Sequence, residues 1–121
     1  MKDQRAQKLI KKIIDDLEHA GIITNTLVKD LKALRPFAVE ENQPVVAKAL
    51  RLAYEHIEEN YTFDIAIPED EPLDEADVIT ETKINADESM LYFMDLIKNS
   101  DNTLNIEELR EYNLALQEYE F

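Results

Sequence analysis

The sequence predicts a mainly α-helical protein, a small bundle of four to five helices in one domain over residues 1–121, with room for a short two-stranded hairpin in an acidic middle segment. Three observations carry this. Apolar residues recur at three- and four-residue spacing through most of the chain. Ala, Leu, Glu and Lys are plentiful, whereas one Gly and four Pro leave few sites for tight turns. A 45% apolar content in 121 residues supplies one core, not two.

The first helix is expected from about Asp3 to Ala20, because Ala6, Leu9, Ile10, Ile13, Leu17 and Ala20 share a face, and Gly21 provides its stop. Lys8, Lys11, Lys12 and His19 point away from that stripe and form a solvated outer face. A second helix carries Leu27, Val28, Leu31, Leu34 and Ala38, capped from Thr24, Asn25 or Thr26. Pro36 is expected to break it after Leu34 or Arg35, since the residue before proline avoids the helical region.

Asn42 as cap and Pro44 in the first turn open a third helix that runs to about Asn60. Its main stripe is Val46, Leu50, Ala53, Tyr54 and Ile57, and Val45, Ala49 and Leu52 form a second strip, as a helix between two neighbours requires. Phe63, Ile65 and Ile67 then alternate with polar or small residues, the period of an extended strand, and residues 77–84 are its candidate hairpin partner. Between them, residues 68–77 hold six carboxylates and read as an exposed, mobile loop. The fourth helix starts near Asn85 or Asp87 and runs to about Lys98, apolar on one side through Met90, Leu91, Met94 and Ile97 and on another through Tyr92, Phe93 and Leu96. After a turn at residues 99–103, the last helix is expected from about Ile106 to Tyr119, with Leu109, Tyr112 and Leu116 inward.

Charge divides the chain. Residues 1–60 hold ten Lys/Arg and ten Asp/Glu; residues 61–121 hold three and seventeen, so the net charge of −14 belongs to the second half. Such a surface repels phosphate backbones and anionic lipid, which argues against nucleic-acid and membrane partners. The opening residues lack the apolar run of a secretory signal, no apolar stretch approaches the roughly 20 residues of a membrane span, and there is no cysteine; together these predict a cytoplasmic protein.

Motifs for chemistry are sparse. Two serines, no cysteine, no G-x-S-x-G setting and a single glycine leave no basis for a nucleophilic triad or a phosphate cradle, so a non-enzyme without cofactor is expected. Asp16-x-x-His19 and His56-x-x-Glu59 each put a carboxylate and an imidazole one helical turn apart, without the Glu-x-x-His order of di-iron bundles. The segment Asp101-Asn-Thr-Leu-Asn-Ile-Glu-Glu-Leu109 resembles the second half of an EF-hand. That resemblance implies calcium ligands at Asn99, Asp101 and Glu108, although Ile97 stands at the first ligand position and Asn102 where the turn glycine belongs.

The function expected from these residues is a non-catalytic protein-interaction or regulatory module. Leu52, Tyr92 and Phe93 are the candidate apolar anchors, in a groove between the third and fourth helices. Glu69, Asp70, Glu71, Asp74, Glu75 and Asp77 form the rim that steers a protein partner with a basic surface. The same charge suits mimicry of nucleic acid. The alternatives are a small apolar ligand among Met90, Met94, Tyr54 and Phe63, weak calcium binding at the EF-hand-like loop, and homo-oligomerisation through the two-sided helices.

Overall fold

The computed structural model describes residues 1–68 and 85–119. Within them the protein is a bundle of five helices: α1 (Gln4–Ala20), α2 (Thr24–Glu40), α3 (Pro44–Asn60), α4 (Ala86–Lys98) and α5 (Thr103–Glu118). The pairwise packing closes a ring in the order α1, α2, α3, α5, α4 and back to α1. The first three helices are neighbours in sequence and space. The chain from α3 to α4 then passes over one place in the ring, which α5 fills on its return.

Each boundary has a local cause. Asp3 caps α1 by accepting the Arg5 N–H at 2.7 Å, and Gly21 ends it at φ 72°, where its N–H donates to the Leu17 carbonyl. A Cβ at Gly21 would lie 2.8 Å from the Asp87 carboxylate, whose other oxygen accepts the Ile22 N–H at 3.1 Å. The α1–α2 turn is thereby tied to the first turn of α4.

Pro36 does not break α2, contrary to the expectation from sequence. Leu34 and Ala38, on either side of it, are both fully buried, and Phe37 lies beneath the Arg5 guanidinium at 5.1 Å. Burial on a shared face outweighs the one backbone hydrogen bond that proline removes. The N-cap of α2 is Ile23, not one of the three polar residues that follow it, and it makes no side-chain capping bond.

Asn42 likewise belongs to the end of α2, not to the start of α3. It adopts φ 58°, and the bonds Asn42 N–H to Val39 O and Gln43 N–H to Ala38 O form a Schellman closure. Gln43 is the N-cap of α3 and Pro44 its first residue. Further along, α5 begins three residues earlier than its apolar stripe suggests, because the Asn102 side chain accepts the Leu104 N–H at 2.8 Å.

Between α3 and α4 the chain enters the core as an extended strap. Phe63 and Ile65 are buried while Asp64 and Ala66 are exposed, so the period-2 reading of burial holds. Strand pairing does not: no strand forms among the described residues. Side chains satisfy the strap's backbone instead, the Asp64 N–H donating to His56 Nε2 at 3.0 Å and Ser89 Oγ donating to the Ile65 carbonyl at 2.5 Å. The proposed hairpin partner at 77–84 and the acidic loop beyond residue 68 lie outside the described residues.

The strap completes the core. Phe63 packs against Phe93 and Tyr112 with ring centroids 5.5 and 5.9 Å apart, and Phe93 meets Tyr112 edge to face at 5.2 Å. The Tyr112 hydroxyl donates to the Ser89 carbonyl at 3.1 Å, and burial pushes its phenol well above the ordinary tyrosine range. Leu31, Leu34, Ala49, Leu50, Ala53, Ile57, Met90, Met94, Ile97 and Leu109 fill the remaining centre.

Candidate partner-binding grooves

Among the described residues, those that sequence alone nominates do not converge on one surface. Helices α3 and α4 are not adjacent in the ring, so no groove runs between them. Phe93 is fully buried in the aromatic cluster and is a core residue, not an anchor exposed to a partner. Leu52 is half-buried on α3, and Tyr92 is half-buried on α4 with its hydroxyl donating to Glu108 on α5. Glu69, Asp70, Glu71, Asp74, Glu75 and Asp77 lie outside the described residues.

The residues of the alternative readings are also dispersed. Met90, Met94 and Phe63 are packed in the core, while Tyr54 sits on the outer side of α3 with the Lys32 ammonium 5.4 Å from its ring centre. In the EF-hand-like segment, Ile97 is buried, the Asn99 side chain donates back to the Asp95 carbonyl, and Glu108 is engaged by Tyr92. Among the described residues no three His, Asp or Glu side chains gather as a metal site would need.

Both histidines have structural partners. His19 is exposed, with Nδ1 2.7 Å from the Asp15 carbonyl, so that nitrogen carries the donated proton. His56 is buried between Phe63 and Tyr119, and its Nε2 lone pair accepts the Asp64 N–H. Burial pushes its pKa below the ordinary value, against the opposing pull of Asp64 and Glu59.

Two surface grooves among the described residues lie between neighbouring helices and have apolar floors. The first lies between α1 and α4 and offers about 750 Å³ of open space, room for several side chains of another chain. Its floor is buried Ile10 and half-buried Ile14, and its rim carries Lys11, Asp15, Glu18, Asp95 and Lys98. The pattern follows from helix geometry: Ala6, Ile10, Ile13 and Leu17 face inward, so Lys11, Ile14 and Glu18 fall on the adjoining stripe beside α4. Three carboxylates face two ammonium groups there.

The second groove lies between α2 and α3 at their connected end. Arg35, Val39, Pro44, Ala47, Lys48 and Arg51 line it. The Arg35 Nε donates to the Ala47 carbonyl at 3.1 Å, which holds the guanidinium across the helix pair. Arg51 pairs with Glu55 at 3.3 Å. Apolar periodicity could not announce either groove, since each depends on which helices become neighbours.

Among the described residues no helix is long and apolar enough to cross a membrane. Searches for relatives found no match to this chain among protein-family models, curated proteins or solved structures.

Proposed function

We propose that this chain is a non-catalytic, cytoplasmic protein-interaction module whose α1–α4 groove docks a helix-forming segment with a basic polar face. The observation that carries the reading is the groove itself, in which Ile14 stays half-exposed above a filled core and beneath a rim of Asp15, Glu18 and Asp95. An amphipathic helix laid along it would bury Ile14 and set its cations beside those carboxylates. The net charge of −14 adds long-range steering toward a basic surface.

The serine hydroxyls favour a non-catalytic reading. Ser89 Oγ is buried and given to the Ile65 carbonyl, and Ser100 Oγ is buried and donates to Gln43 Oε1. Neither stands beside a histidine as an activated nucleophile would.

Titration of the isotope-labelled chain with an amphipathic helical peptide, leucine on one face and lysine on the other, tests the reading. Amide shifts centred on Lys11, Ile14, Glu18 and Asp95 are expected, with association slowing as salt rises from about 0.05 M to about 0.5 M. Shifts confined to Met90, Met94 and Phe63, or an on-rate indifferent to salt, would contradict it.

A further inference from the structure

The α2–α3 groove is the opposite of what the overall charge leads one to expect. In a chain of net charge −14, Arg35, Lys48 and Arg51 converge on one surface where, among the described residues, Glu55 is the one carboxylate in ion-pair contact. Lys48 is exposed and makes no ion pair among the described residues, and Arg35 commits only its Nε. The floor between these cations is apolar: Val39 is 56% exposed, and exposed Pro44 and buried Ala47 continue it.

We infer that this groove binds a short acidic segment of a protein partner, its carboxylates on Arg35, Lys48 and Arg51 and an apolar side chain on Val39 and Pro44. A guanidinium presents parallel N–H donors that match a carboxylate, and Lys48 supplies a mobile point charge beside it. The apolar floor has no use for a bare anion but suits a peptide in which carboxylates flank an aliphatic residue. A nucleic-acid strand fits less well. It needs a continuous track of cations, whereas the next cation along α2, Lys32, is paired with Glu58, on a molecule that repels polyanions. A short peptide meets that repulsion only locally, because charges beyond about 8 Å are screened at physiological salt.

This surface is separate from the α1–α4 groove, so each can fail alone. The probe is a fluorescein-labelled peptide of repeating Glu-Glu-Leu, followed by anisotropy and by amide shifts of the full chain. Saturable binding with shifts at Val39, Lys48 and Arg51 is expected, and Lys48→Glu should weaken it about tenfold through loss of one charge-assisted contact and gain of one repulsion. Lys8→Glu makes the same change of net charge on the far face of α1 and should leave affinity within about twofold. Equal affinity for the Gln-Gln-Leu peptide, shifts centred on Ile14 instead, or an equal loss in both variants would overturn the proposal. So would single-stranded oligonucleotide displacing the peptide from the same residues at lower concentration, which would give the site to phosphate.

Discussion

The two halves of the ring reach the same packed interior by different means. In α1 to α3 the core is almost wholly aliphatic, positive and negative charges balance, and neighbours in sequence are neighbours in space. In the second half the core is built around the rings of Phe63, Phe93 and Tyr112, the charge is strongly negative, and the order of packing departs from the order of the chain. The strap from Phe63 to Ile65 makes that departure workable. It carries an aromatic ring to the meeting point of α3, α4 and α5 and satisfies its backbone through His56 and Ser89. Where neighbours are adjacent in sequence, amphipathic stripes suffice; where they are not, specific polar contacts fix the path.

The largest expected effect follows from that difference. Phe63→Ala should cost about 3–5 kcal/mol in denaturant unfolding, the range for losing a buried aromatic ring, and should also disturb the tyrosine signal of Tyr112. If Phe63→Ala costs less than about 1 kcal/mol, the strap is not the keystone of the second half.

Next is the joint between the halves. Gly21→Ala should destabilise by about 1–3 kcal/mol, since the backbone at φ 72° and ψ −160° suits glycine and the new methyl group meets Asp87. The double variant with Asp87→Ala should recover the steric part and not the backbone part. Full recovery would show that the turn has no conformational demand of its own.

A smaller effect of opposite sign is expected where α3 ends. Tyr61 is 74% exposed and sits at φ 60°, a left-handed conformation costly for an aromatic residue. Tyr61→Gly should therefore stabilise by about 1 kcal/mol in the same unfolding assay. A loss would mean that the exposed ring makes a contribution the packing does not reveal.

The smallest effect concerns pH. His56 in the folded protein is held below its ordinary value of 6.5 by burial, so as pH falls the unfolded chain takes up a proton before the folded one does. The contribution of His56 is present in full above pH 6.5 and is lost as pH falls through that value toward the folded pKa. Protonation also turns Nε2 into a donor facing the Asp64 N–H, which loosens the strap. His56→Gln should flatten the pH dependence of stability in this window; an unchanged slope would assign it to other groups.

How much of this was legible in the sequence follows the same division. The spans of α1, α3 and α4 could be read from periodicity, Gly21, Pro44 and Asn85, because those signals are local. The continuity of α2 through Pro36 could not, since it rests on the burial of Leu34 and Ala38 against other helices. Alternation marked Phe63 and Ile65 as inward, with Ile67 only half-buried, but the partners of the backbone, His56 and Ser89, are 8 and 24 residues away. Phe93 looked like an anchor because helical periodicity shows two apolar faces without showing that both are covered. The grooves were the least legible, because each is made of the polar edges of two helices whose adjacency is a property of the ring.

Docking of a protein in the α1–α4 groove can be probed by placing a photo-crosslinking amino acid at position 14 and irradiating living cells of the source organism. One dominant protein adduct is expected from position 14, absent when the same group stands at exposed position 114 and reduced when Asp15, Glu18 and Asp95 are neutralised. No adduct at 14, or the same adduct from both positions, would contradict it.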